Sequence, residues 1–423
     1  MKKVLACALV GAMTLGLLAG CSSGGSGGDS GDGKKTLDVV WFSDGNEGES
    51  FMKLAEEYME THEDIEIELI EVPYADLDNK LKNMINAGEQ PALARMTNIG
   101  TFQNQLIDLK EYVSDPDAFV DSFGSGLQFI YDDKMIAAPM DVTANGIIYN
   151  KTAFDQAGVQ VPQSPDEIWT WDEFEAALQK VVENSDCQYG MVFDKSAQRF
   201  STLIYEAGGS LLNEDLTASN FNTDEVKTAV DWFVELHENG IMPTSIWLGS
   251  DNPNEMFRTG QVAAHFSGSW MIANYKEQIT DFEWGVTYLP VEAQRSSVPG
   301  GKWLGAFQGS GVEQEAADFI EWIMSAENNA QYCKENYYIS QVKGNESLDY
   351  DFGAEYFEIF ADELNATGPQ PAAEWGYQAL VNSVQTDIVD RLSSVLAGDM
   401  STDDFTAEID GLITESLADL NES

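Results

Sequence analysis

The chain has 423 residues, 72 acidic and 22 basic, for a net charge of −50 with histidine neutral. That balance excludes nucleic acid as a natural partner, because phosphate backbones are bound by lysine and arginine, and it disfavours bare anionic lipid surfaces. With 43% hydrophobic residues and 21 Phe, 15 Tyr and 10 Trp, the body of the chain has enough apolar surface to fold.

Lys2 and Lys3 precede an apolar run over 4–19, the length of a secretory leader's core and short for a bilayer span. The run ends in Leu18-Ala19-Gly20-Cys21, which resembles a bacterial lipobox. Residues 1–20 are therefore expected to leave as a signal peptide and Cys21 to carry lipid, whose several acyl chains anchor stably where one would be marginal. Loss of Lys2 and Lys3 leaves 20 basic against 72 acidic residues, a net of −52. A Gly/Ser run over 22–33 follows and lacks any core-building residue, so 21–35 reads as lipidated cysteine plus flexible tether. The folded part then starts near Lys34, on the extracellular face of the cell membrane. Its roughly 390 residues exceed one core, and two lobes are expected. Cys7 leaves with the leader, so only Cys187 and Cys333 could form a disulfide, and nothing local supports that pairing. His62, His237 and His265 have no ligand spacing, so no transition-metal site and no cofactor is expected.

Residues 36–42 (TLDVVWF) read as a buried strand, and 49–60 as a helix with Phe51, Leu54, Ala55, Tyr58 and Met59 on one face. A second strand at 65–72 and a helix through Leu77, Leu81, Met84 and Ile85, stopped by Gly88 and Pro91, complete a β-α-β-α opening. Such an opening implies largely parallel sheets covered by helices, an α/β class. Strands follow at 136–139 and 147–150, and Thr170-Trp171-Asp172-Glu173 predicts a capping box for a helix reaching Val182. Asn222 with Glu225 predicts another, for a helix closed by Gly240. Further strands are expected at 261–267 and 284–289, a helix at 316–324, and helices over the last forty residues.

Several segments in order resemble the extracellular solute-binding proteins of ABC importers, the carbohydrate-binding family related to maltose-binding protein. The residues that carry the resemblance are Ile136-Ala-Ala-Pro-Met-Asp-Val-Thr-Ala-Asn-Gly-Ile-Ile-Tyr-Asn-Lys151, then Phe154, Ala157-Gly158 and Thr170-Trp-Asp-Glu-Phe174. Phe257, Gly260-Gln-Val-Ala-Ala264 and Gly268-Ser-Trp270 follow, then Trp284-Gly-Val, Leu289-Pro290 and Ala316-Ala-Asp-Phe-Ile-Glu-Trp322. Pro91-Ala92-Leu93 departs from the Pro-Asp pair of many members, which leaves the ligand subclass open. The resemblance implies a two-lobed, type II periplasmic-binding-protein-like fold with a mostly parallel sheet in each lobe. It places three crossings between lobes near 141–145, 304–308 and 338–343, so that 36–142 plus 306–340 form one lobe and 143–305 plus 341–423 the other. Ligand sits at the hinge, at the carboxyl ends of the strands.

A sugar offers a rim of hydroxyls and an apolar C–H face, so its site needs aromatic plates together with carboxylate or amide groups. By matching segments, the resemblance implies ligand-stacking roles for Trp270 and Trp375; Trp303, after Pro299-Gly300-Gly301-Lys302 near the second crossing, and more weakly Trp247, in a polar loop, are further candidates, and each of the four could instead pack a core. Gly301 would let backbone approach the ligand. Asp44 and Asn46 after the first strand, Asn98 after the third, Asp141 and Thr143 at the first crossing and Gln198 before a helix are the polar candidates. Capping and turn formation are their structural alternatives. Arg95 and Arg199 are scarce cations that could meet an acidic sugar or a phosphate, or pair within so acidic a chain. The implied function is capture of a neutral mono- or oligosaccharide by lobe closure in a monomer, and delivery to the transmembrane subunits of an ABC permease. Glycerol phosphate esters, polyols or polyamines are alternative ligands. A secreted hydrolase is the rival of another class, but H-E-x-x-H does not occur, and the G-x-S-x-G spacing occurs only over 20–24 and 24–28, in the leader junction and Gly/Ser run and not at a strand-to-helix turn.

Overall fold

The computed structural model describes residues 33–43, 47–124, 129–131 and 133–422. Cys21, Asp44 and Asn46 lie outside them. Among the described residues there are ten strands: β1 (Lys35–Trp41), β2 (Ile65–Glu71), β3 (Leu93–Met96), β4 (Phe129–Tyr131), β5 (Lys134–Thr143), β6 (Asn145–Asn150), β7 (Tyr189–Phe193), β8 (Val262–Gly268), β9 (Trp284–Thr287) and β10 (Gly300–Ala306). They form a six-stranded sheet, β2-β1-β3-β10-β5-β4, and a four-stranded sheet, β7-β8-β6-β9.

The alternation of β1 shows how the first sheet is buried on both faces. Leu37, Val39 and Trp41 enter one core with Phe51 and Leu54 of the helix Glu47–Thr61, while Val40 and Phe42 enter another with Leu77 and Leu81 of the helix Leu77–Ala87. The second lobe has one large core around β6, β7 and β8. Helical crossovers make β1 parallel to both β2 and β3, but β10 runs antiparallel to β3 and β5. The sheets are thus more mixed than the opening alone implies, because β10 enters from the other lobe and runs against strands that head toward it.

The first crossing is a single residue, Ala144, between β5 and β6. The second falls between β9 and Gly300, earlier than the 304–308 expected from matching segments, because the whole of β10 pairs within the six-stranded sheet. Residues 300–305 therefore belong to the first lobe. Tyr338 then packs in the first lobe's core while its neighbour Tyr337, held at φ 58°, packs in the second's. Cys187 and Cys333 are free and buried in different lobes, so they do not pair.

Local signals shape the helices as read, with one shift. Thr170 and Glu173 form the reciprocal capping box that starts the helix Trp171–Asn184. The helix Asp224–Glu238 is capped by Thr223, whose hydroxyl accepts from Val226 N, instead of by Asn222; Asn222 accepts from Thr406. The terminal helices Gln378–Leu396 and Thr402–Glu422 pack as a pair, joined by Arg391 Nε donating to Glu408 at 2.9 Å.

The second lobe buries Glu363, which accepts from Leu289 N at 3.0 Å and lies 3.2 Å from an Arg295 nitrogen. Burial pushes its carboxyl up from 4.5 to about 7, against the pull of Arg295 and the Leu289 N–H. A raised carboxyl pKa means that the folded state holds a proton which the unfolded chain releases, so this group's contribution favours folding at low pH and is lost as pH rises from 4.5 to 7. Relative to Glu363→Gln, the wild type should lose up to about 3 kcal/mol of unfolding free energy across that window and none beyond it. Urea denaturation of both proteins at several pH values checks this.

Candidate functional site

The carboxyl ends of β1, β3, β5, β7 and β8 meet where the lobes join, and a cavity of about 330 Å³ lies there. Thr143 closes β5, Asn98 follows β3, and Gln198 is the second residue of the helix Ala197–Glu206 after β7; all three line the cavity. So do Trp270, Trp303, Trp375 and Gly301. Of the expected contacts within the described residues, only Asp141 and Trp247 are placed elsewhere.

Asp141 is fully buried beneath the wall, 3.7 Å from Arg95 Nη2 and 3.9 Å from Lys302 Nζ. A carboxylate that answers two buried cations is committed to structure. Trp247 is 1% exposed and sits edge-on to Phe193 and Phe233, so it is a core residue of the second lobe, not a ligand contact. Arg95 is also internal, with Nη1 donating to Phe42 O at 2.6 Å.

The first crossing supplies the floor. Ala144 N donates to Ser269 Oγ at 3.3 Å and Asn145 N to Ser297 Oγ at 3.1 Å. Buried Asn145 donates to Thr202 Oγ1 at 2.9 Å and accepts from Arg199 Nη1 at 3.0 Å. The Arg199 guanidinium in turn lies 4.3 Å from the centre of the Trp270 ring. Trp270 packs against the cores of both lobes, and it does so by folding back over the end of its own strand. Gly268 permits this, since a Cβ there would stand 2.0 Å from the indole and 2.4 Å from Ala144 O. Trp375 is half-buried and donates from Nε1 to Ser201 at 3.0 Å.

Sequence reasoning missed Tyr74, which lines the cavity from the first lobe and is 56% exposed. It lies against Phe42 with ring centres 5.0 Å apart. Its one sequence signal is an aromatic residue after Pro73 in a turn that follows a strand. Gln378 and Gln385 were missed too; they reach the cavity from the helix Gln378–Leu396, which also touches the first lobe where Asn382 donates to Thr101.

Two α/β lobes joined by three crossings, with a polar, aromatic-walled cleft at their strand ends, make a ligand-binding clamshell. The family profile described as bacterial extracellular solute-binding protein matches residues 53–347, and the chain belongs to that family. It is 25% identical over 372 residues to a maltotriose-binding protein of Pyrococcus abyssi, an alignment covering 82% of this chain and 77% of the relative. An arabinooligosaccharide-binding protein of Bacillus subtilis is 25% identical over 307 residues, covering 69% and 68%. In fold the chain resembles an ABC substrate-binding protein of Listeria monocytogenes solved with cycloalternan, with a TM-score of 0.78, 21% identity, and coverage of 91% of this chain and 99% of that one. These relatives are binding proteins.

The Gly268→Ala variant should lose about 2 kcal/mol of stability through the forced displacement of Trp270. A lowered unfolding midpoint together with changed tryptophan fluorescence would be the signature.

Proposed function

We propose that the chain captures an extracellular carbohydrate between its lobes and hands it to an ABC permease, held at the cell surface by lipid on Cys21. The observation that carries this reading is the pair of aromatic walls. Tyr74 stands on the first lobe and is unusually exposed for its size, while Trp270 and Trp375 stand opposite on the second. Amides and hydroxyls occupy the space between them: Asn98, Thr143, Asn145 and Gln198 among others. Flat apolar plates suit the C–H faces of pyranose rings, and uncharged hydrogen-bonding groups suit their hydroxyls. The sugar-binding names of the relatives point the same way. A ligand that touches both walls stabilises the arrangement in which both reach it.

The leader ending in Leu18-Ala19-Gly20-Cys21 supports the anchor. The relatives named above are binding proteins, and binding without turnover is the expected behaviour.

A thermal-shift screen of the protein against mono- and oligosaccharides, polyols, polyamines and glycerol phosphates tests the ligand class. A dose-dependent rise in the melting temperature with a saccharide is expected; a rise only with amines or polyols would overturn the carbohydrate reading. Calorimetric titration should then show Tyr74→Ala weakening the bound saccharide about tenfold. Because Tyr74 is mostly solvent-exposed, the unliganded melting temperature should stay unchanged.

A further inference from the structure

Among the described residues, the charge that lines the cleft is opposite in sign to the chain's net charge. Acidic residues outnumber basic ones 72 to 22, yet among the described residues that line the cavity there is no aspartate or glutamate, and there are two cations, Arg199 and Lys302. Lys302 faces Asp141 within the buried network, 3.9 Å away. Arg199 is held mainly by neutral groups of the cleft itself.

Its side chain is 11% exposed, and Nη1 donates to two neutral acceptors, Asn145 Oδ1 at 3.0 Å and Gln198 Oε1 at 2.9 Å. Its Nε is buried without a hydrogen-bond partner among the described residues, and Asp194 stands 3.8 Å from it, beyond hydrogen-bond reach. Burial pulls its pKa below the ordinary value, with Asp194 working against that pull. Arginine does not shed its proton in proteins, so this is a buried cation only partly compensated. It is also the third residue of the helix Ala197–Glu206, whose N-cap, Ser196, makes no side-chain capping bond and lines the same cavity. The first N–H groups of a helix have no partners within it and carry partial positive charge. A guanidinium and a helix start therefore face one corner of the cleft, with Trp270 stacked on the guanidinium and fixing its plane.

We propose that this corner takes an anionic group of the ligand, so that the bound carbohydrate is an acidic sugar, one carrying carboxylate, phosphate or sulfate oxygens. The inference rests on the carbohydrate reading of the cleft. Hydroxyls alone leave Arg199 with the carboxylate of Asp194, 3.8 Å from Nε and outside hydrogen-bond reach, whereas an anion in the cleft accepts charge-assisted hydrogen bonds from the fork. The strongly negative surface does not forbid this, since it is screened beyond about 8 Å at physiological ionic strength.

The test is calorimetric titration of the full-length protein with an oligogalacturonide and its methyl ester, a hexose phosphate and the free hexose, a sulfated disaccharide and its desulfated form, and maltotriose. One acidic member should bind at least tenfold more tightly than its uncharged counterpart, identifying which anion is used, and its affinity should fall as NaCl is raised. Arg199→Gln should abolish that preference, and Arg199→Lys should restore part of it. If Arg199→Gln fails to fold, the charged-to-uncharged ratio and the salt dependence of the wild type decide the matter. Neutral sugars binding as tightly as their acidic counterparts, indifferent to salt, would overturn the inference and leave the carbohydrate reading intact. Equal weakening of both members by Arg199→Gln would also overturn it, making Arg199 a positioning residue for Trp270. Binding of no saccharide at all would overturn both.

Discussion

Arg95 carries a full charge with no access to water, and the first lobe is organised around making that tolerable. Its guanidinium lies near the faces of Trp41 and Phe42, 5.0 and 4.6 Å from their ring centres, and donates to Phe42 O. Asp141 and Tyr338 lie 3.7 and 3.5 Å from Nη2, and the Tyr338 hydroxyl donates to buried Glu47. Lys302 joins through Asp141. Two cations thus face two carboxylates, a neutral cluster whose members are costly to remove singly, because each removal strands a buried charge at about 3–5 kcal/mol. The cluster ties the ends of β1, β3 and β5, the start of β10, the helix Glu47–Thr61 and the third crossing. Those strand ends are the cleft's first wall, so the positions of Phe42, Asn98, Thr143 and Trp303 follow from one guanidinium.

The joint between the lobes is built differently. At Ala144 and Asn145 the backbone N–H groups are met by serine hydroxyls, Ser269 and Ser297, which rotate to keep a partner more easily than a ladder of peptide groups does. At the third crossing adjacent tyrosines divide between cores, and the left-handed turn at Tyr337 is what sends them apart. A non-glycine residue held there costs of order 1–3 kcal/mol, which the packing of two large rings offsets. Rigid walls and a joint of few, adaptable bonds are the conditions under which one lobe turns on another as a body.

Much of this was legible from sequence wherever the signal is local. The period-2 burial of β1, the capping box at Thr170 and the terminal helices all follow from neighbours within a few residues. What failed depended on distance. Asp141 resembles a site residue at a strand end, but its partners are Arg95 and Lys302, which are remote in sequence. Trp247 lies in a segment bounded by Thr244-Ser245 and Ser250-Asp251, but its neighbours in space are aromatic. Gly301 lines the cavity as expected, and with Gly300 it also brings β10 against β5, a use that depends on the partner strand: a Cβ at Gly301 would meet Asp141 O at 2.8 Å and one at Gly300 would meet Thr143 Oγ1 at 2.7 Å. Tyr74 went unseen because exposure is not a property of a sequence pattern.

The electrostatic layout separates approach from recognition. A chain with a net charge of −50 repels anions at long range and gains nothing in encounter rate with them, since steering needs complementary charge. Within a Debye length the local arrangement decides, and there the described lining holds Arg199 and a helix start with no carboxylate among them. Discrimination for such a ligand is set by contact, and so falls mainly on how slowly it leaves. The cost of burying Arg199 is met in part by Trp270, Asn145 and Gln198, which belong to the cleft themselves. Preparing the cation and building the aromatic wall are one structural act, and Gly268 is the residue whose missing side chain allows it.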